Sequence, residues 1–344
     1  MTLFFIRKCH IPKSYKMLFL TKRLRYILRR LIQAIPVLLG IAIVNFLLLQ
    51  LAPGDAADVL AGESGSATPE YMEMLRKNFG LDKSIPEQLL IYIKNLFSFD
   101  LGFSFRHNMD VLEIILDRLG ATLLLMTTTL FLSVGFGIFL GLFAAMHVNH
   151  WQDSLISILA IISYATPLFW VGLMLMVIFS INLDWFPATG MEDIIKFYTG
   201  WKRFLDIAHH LILPSITLSL FYLALYTRLM RASVLEQHGM DYVVTARAKG
   251  ASENRVTFKH VLKNAILPVI TMAGFQVGAL LGGSVVVEAV FGWPGLGQLA
   301  FQTLFARDIN LLLGIFFLSA CLVVVVNLLV DLVYTFLDPR IELD

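Results

Sequence analysis

The chain has 344 residues, and 15% of them are charged; about 25% is usual for a soluble domain. With 58% hydrophobic residues and a mean hydropathy of +0.75, this composition excludes a water-soluble globule as the main body of the molecule. The net charge of +2 says little about partners, but the placement of the charges along the chain says a great deal.

Six nearly uncharged runs recur, at roughly 32–52, 119–146, 154–183, 211–235, 266–289 and 311–337. At 1.5 Å per residue each can cross a hydrocarbon core of about 30 Å. The sequence therefore predicts an all-α polytopic membrane protein with six transmembrane helices. Pro167, in "SYATPLFW", is the expected kink inside the third run.

Nine Lys and Arg residues precede the first run, among them Arg7, Lys8, Arg29 and Arg30, and seven more lie between Arg228 and Lys263. The segments 53–118 and 184–210 hold six and three. Basic loops favour the cytoplasm, which puts both termini, the 147–153 turn and the 228–263 segment inside, and 53–118, 184–210 and 290–310 outside. In chain order this gives a basic cytoplasmic arm (1–31), the first membrane helix (32–52), an outer loop with short helices (53–118), and a core of five membrane helices (119–337). The core includes a cytoplasmic loop at 236–264, and a cytoplasmic tail (338–344) follows. The first apolar run is too long for a signal-peptide h-region and is expected to stay uncleaved. Residues 1–16 read as an extension, since Met17 offers a second plausible start. The arm suits either a surface helix on anionic lipid or a free tail.

In the outer loop, Thr68, Pro69 and Gly80 read as cap, first residue and stop of one short helix. "IPEQLLIYIKNLFSF" reads as a second, with Leu89, Leu90, Ile93, Leu96 and Phe97 along one face. This segment serves either as a cap on the outer membrane surface or as a docking surface for an outside partner. Trp185 and Phe186 suit the outer interface. "VFGWPGLGQ" reads as a tight turn.

The inner loop "DYVVTARAKGASENRVTFKHVLKNAILP" is polar and basic. Gly250 ends one short helix, Ser252 starts another, and Pro268 is expected to open the fifth membrane helix. Val243, Ala246 and Gly250 could offer a small-residue surface to a partner groove, with Arg247 and Lys249 beside them. Gly274, Gly278 and Gly282 recur at four-residue spacing and suit close helix packing or the lining of a path; Gly137 and Gly141 repeat the spacing.

The sequence carries no phosphate-cradling loop, no H-E-x-x-H and no G-x-S-x-G. His147 and His150 flank an inner turn, and His209 and His210 lie at the outer interface; no carboxylate or thiolate cluster joins them, so interfacial roles are expected. Cys9 and Cys321 have neither disulfide nor metal spacing. The helix centres lack Asp, Glu, Lys and Arg, with Glu288 and Asp331 toward helix ends, which argues against a proton-coupled carrier.

"TARAKGAS" and "HVLKNAILP" resemble the coupling loop of permease subunits of the dipeptide/oligopeptide/nickel family of ABC transporters. "YILRRLIQAIPVLLGI", "LAPGD", "FGLD", "SFDLGFS", "ATPLFWVGLML", "WFPATG" and "EAVFGWPGLG" are similar to that family in the same order, from about residue 24 to the end. Against the family's general Glu-Ala-Ala pattern, Val244, Thr245 and Ala246 occupy the three positions, so only the Ala and Gly250 match. The resemblance implies an ABC type I importer permease fold. It also implies a coupling role for Asp241, Thr245, Ala246, Arg247, Ala248, Lys249 and Gly250. The chain is then not an enzyme and binds no cofactor; ATP would be held by two cytoplasmic ABC ATPase subunits. The other implied partners are a second, homologous permease, a periplasmic or lipid-anchored substrate-binding protein and the bilayer, with no nucleic acid. The expected location is a bacterial inner membrane. The expected cargo is a di- or oligopeptide; nickel complexes, glutathione, polyamine export and, more distantly, a stand-alone secondary carrier are the alternatives.

Overall fold

A computed structural model describes residues 13–51, 68–78, 82–104, 106–306 and 308–337. Residues 1–12, the whole 52–67 stretch with its Pro53–Gly54 break, Gly80 and the tail 338–344 lie outside the described residues. The elements in chain order are α1 (Lys13–Leu51), α2 (Pro69–Asn78), α3 (Ile85–Phe97), β1 (Phe103–Ser104), β2 (Met109–Asp110), α4 (Val111–Met146) and α5 (Trp151–Ala165). Then follow α6 (Leu168–Asn182, π-helical from Met176), α7 (Gly200–His238), α8 (Asp241–Ala248), α9 (Glu253–Phe291, π-helical over Val256–Val261), α10 (Leu296–Ala306) and α11 (Ile309–Leu337). β1 and β2 form a two-residue antiparallel ladder, Phe103 opposite Asp110, which leaves the all-α class intact.

Among the described residues, five helices are long and apolar enough to span a membrane: Leu28–Leu48 within α1, α4, α7, α9, and Ile309–Val330 within α11. The sixth span is broken. α5 and α6 meet at an angle of 106°. The cause is local: Pro167 has no N–H to continue the helix. The Thr166 amide and hydroxyl both return to the Ile162 carbonyl, at 3.0 and 2.7 Å. The Pro167 carbonyl then starts α6 by accepting from Trp170 and Val171. The pair still crosses as a unit. Near its start Asp153 pairs with Arg231 of α7, and just beyond its end the Trp185 carbonyl meets His209 of α7 at 2.9 Å. Those two α7 residues are about 33 Å apart at 1.5 Å per residue, a full membrane thickness.

The core lies between α4, α7 and α9, where Leu125, Leu218, Tyr226, Met230 and Val269 are fully buried. α4 and α7 touch backbone to backbone. A Cβ at Gly137 would sit 2.6 Å from Cβ of Tyr226, and one at Gly141 2.5 Å from the Thr227 carbonyl oxygen. With lipid on the outside no hydrophobic force drives this contact, so close packing has to supply it. A second cluster gathers Ala42, Leu96, Val111, Ile115, Leu311 and Ile315. Large apolar side chains such as Phe131, Phe139 and Phe275 point outward, as a surface facing lipid or another apolar partner requires.

Three sequence expectations shift. Pro268 does not open the fifth membrane helix; it lies inside α9, which runs unbroken from Glu253. A membrane helix tolerates an internal Pro because its neighbours re-satisfy the freed backbone groups. The small-residue stripe does not pack as one face: Gly278 faces Val323 of α11, Gly274 is buried, and Gly282 is exposed with open space beside it. In α3 only part of the expected face turns inward, with Leu96 buried and Leu90 and Phe97 exposed.

Candidate functional site

α8 is short, and its end is sharply defined. The Gly250 amide donates to the Arg247 carbonyl (2.9 Å) and the Ala251 amide to the Ala246 carbonyl (3.2 Å). These two bonds make a Schellman stop. The stop needs a left-handed residue, and Gly250 has φ +79°. Ser252, extended at ψ 152°, then turns the chain into α9. Arg247 closes the corner with a forked ion pair to Glu253, Nε–Oε1 2.8 Å and Nη2–Oε2 3.0 Å. The hydrogen-bonded Glu253 carboxylate raises the guanidinium still further above its ordinary value, so the fork stays charged.

The two faces of α8 differ. Val243 (0% exposed) and Ala246 (8%) belong to the buried core cluster that also holds Val234 of α7 and Val256, Val261 and Ala265 of α9. They do not offer a small-residue surface outward; they clamp α8 to the bundle. Asp241, Val244, Thr245, Arg247, Ala248, Lys249 and Gly250 are exposed. The sequence expectation of one outward surface from Val243, Ala246 and Gly250 differs here: the first two turn inward and only Gly250 is exposed. Tyr242 adds a hydrogen bond from its hydroxyl to Gln237 (2.7 Å), and so ties α8 to the end of α7.

Beside this corner, Arg231 of α7 holds Asp153 of α5 through two bonds, Nε–Oδ1 2.6 Å and Nη2–Oδ2 2.7 Å. Neither residue stands out in the sequence, because the partners lie 78 positions apart.

The opposite end of α9 carries a second buried network. Glu288, fully buried, accepts from the Thr122 hydroxyl (2.9 Å) and from the amides of Gly297 (2.6 Å) and Gln298 (3.1 Å) at the start of α10. The Trp293 indole donates to the Ala121 carbonyl at 2.9 Å, and the Leu296 amide donates to the Thr122 hydroxyl at 2.7 Å. A helix N-terminus holding a carboxylate is electrostatically favourable. "EAVFGWPGLG" thus folds as a turn stapled to α4, and Glu288 is its fastener rather than only a charge near a helix end.

Nearby, the Ser104 hydroxyl contacts Asp308 and lies 3.0 Å from His107 Nδ1. The residue types are those of a hydrolase triad, but the geometry is not. One imidazole nitrogen faces both partners, so the ring does not bridge them, and Ser104 is fully buried. Asp308 instead caps α11 by accepting from the Leu311 amide. His147, His150 and His210 each meet a nearby carbonyl through Nδ1, and no metal-ligand cluster occurs among the described residues.

A helix bundle with a broken span and an exposed short helix anchored to its core suits a membrane subunit that answers to a partner. Comparison with known proteins agrees. Residues 137–343 match the family model "Binding-protein-dependent transport system inner membrane component", and residues 23–126 match that of its N-terminal region. The chain belongs to this family. It is 40% identical over 318 residues to the oligopeptide transport system permease protein AppB of Bacillus subtilis, covering 92% of this chain and 99% of that one. It is 37% identical over 333 residues to the dipeptide transport system permease protein DppB of Alkalihalophilus pseudofirmus, covering 93% and 99%. Among solved structures, an inward-facing form of the MetNI methionine ABC transporter matches with a TM-score of 0.52 at 16% identity, over 66% of this chain and 97% of that one. The chain is accordingly a multi-pass inner-membrane transport subunit with a type I importer permease fold, and not an enzyme.

Proposed function

We propose that this chain forms half of the path of an ATP-driven peptide importer. A second, homologous permease completes the path, two cytoplasmic ATPase subunits hold the ATP, and a binding protein delivers peptide at the outer face. Both termini lie in the cytoplasm. The observation that carries this reading is α8, clamped by its buried face to α7 and α9 while its opposite face is free to receive a partner. A force on Val244, Thr245, Ala248 or Lys249 reaches the core through Val243 and Ala246 without an intervening flexible joint. That meets the physical requirement for coupling two distant sites through one packed element. The peptide cargo is supported by relatives named as oligopeptide and dipeptide permeases that match almost end to end.

The test is reconstitution of the whole complex in vesicles with its binding protein. Loading the binding protein with a dipeptide is expected to stimulate ATP hydrolysis and peptide accumulation together. Stimulation by a nickel complex, glutathione or a polyamine but by no peptide would overturn the cargo. Transport by this chain alone, without ATP, would overturn the class.

A further inference from the structure

A cleft of about 350 Å³ opens where α5 breaks from α6, walled by Tyr164, Pro167, Phe221, Tyr222 and Gly283 among others. Its size suits a small ligand. It lies near the middle of α7, well inside the membrane. α6 starts here with Pro167 at its N-cap position and no side-chain cap, so its first N–H groups and the positive end of its dipole face the break. Tyr222 is only 4% exposed, and no hydrogen bond of its hydroxyl is found among the described residues. That hydroxyl lies 3.4 Å from where a Cβ on Gly283 would sit, which directs it at the cleft. Tyr164, half exposed, stacks on Phe221 with ring centroids 5.0 Å apart and forms an aromatic wall.

A bare half-helix N-terminus and the unpaired Tyr222 hydroxyl at the cleft wall are both donors. With no Lys or Arg among the lining residues, they can hold an anion weakly enough to release it. We propose that this cleft takes the C-terminal carboxylate of a peptide in transit, with the Tyr222 hydroxyl and the first amides of α6 as donors and Tyr164 and Phe221 flanking the peptide. The proposal rests on the peptide reading above and adds to it a site within the membrane.

The test is binding of tritiated alanyl-alanine and of alanyl-alanine amide to the purified transporter complex without its binding protein. The free acid is expected to bind at least tenfold tighter than the amide. Tyr222→Phe keeps the ring and removes the donor; it is expected to weaken acid binding about tenfold and leave the amide unchanged. Leu168→Pro removes one amide at the first position of α6, where Pro is tolerated, and is expected to act the same way. Equal binding of acid and amide, no binding of either, or an equal loss of both in Tyr222→Phe would overturn the site. Should that happen while the complex still imports alanyl-alanine, peptide transport stands and only the carboxylate site falls. Failure of the wild-type complex to import any peptide removes the reading beneath it.

Discussion

Glu288 brings a carboxylate into a fully buried position and surrounds it with three donors, one from Thr122 and two from the backbone of α10. Removing the acceptor leaves those donors buried without partners, at about 1–3 kcal/mol each. Glu288→Ala is therefore expected to lower stability by about 3 kcal/mol or more, and Glu288→Gln, which keeps one acceptor oxygen, by clearly less. Thermal unfolding of the purified protein, followed by tryptophan fluorescence, orders the three proteins; equal transitions would show that the network contributes nothing. The Asp153–Arg231 fork invites a double-mutant cycle. Asp153→Asn and Arg231→Gln are expected to show a coupling energy of about 1–2 kcal/mol, since Asp153 is buried and the geometry is two-pronged. Additive effects would mean that the pair is incidental. Neither partnership is legible in the sequence. Asp153 and Glu288 look like charges near helix ends, and only the fold brings Arg231 and Thr122 to them.

Among the elements, apolar runs announce the membrane helices but not their ends. α4, α7 and α9 extend beyond the runs at 119–146, 211–235 and 266–289 into charged sequence. Nothing in an apolar count requires a helix to stop at the membrane surface. The break at Pro167 is legible because its cause is local. The inward turn of Val243 and Ala246 is not, because a period of three to four places residues on one face without saying which way the face looks. Gly137 and Gly141 carry a clear expectation of their own. Gly141→Val places side-chain atoms where the Thr227 carbonyl and Met230 stand, so α4 and α7 must separate. That variant is expected to lose most of its monodisperse peak on size-exclusion chromatography, whereas Gly282→Val, facing open space, is expected to keep it. Equal profiles would contradict the close approach.

At the scale of the molecule, charge placement sets orientation and the broken span sets the count. Six crossings would return the chain to its starting side, and the basic-loop rule would then put α8 on the cytoplasmic side and α3 on the outer side. With both native cysteines replaced by serine, an impermeant maleimide is expected to label Leu90→Cys in spheroplasts and Lys249→Cys only in inside-out vesicles; the reverse pattern would invert the topology. That orientation gives α8 its meaning, because only a cytoplasmic helix can meet the ATPases. The central claim is that α8, ended at Gly250, transmits their motion to the path. Gly250→Asp places a side chain at φ +79°, at a cost of about 1–3 kcal/mol, on the face a partner would cover. The decisive measurement is the ratio of peptide imported to ATP hydrolysed by the reconstituted Gly250→Asp complex. Hydrolysis is expected at half the wild-type rate or more with import below about a tenth of wild type, a fivefold or greater fall in the ratio. An unchanged ratio with normal import would contradict the central claim.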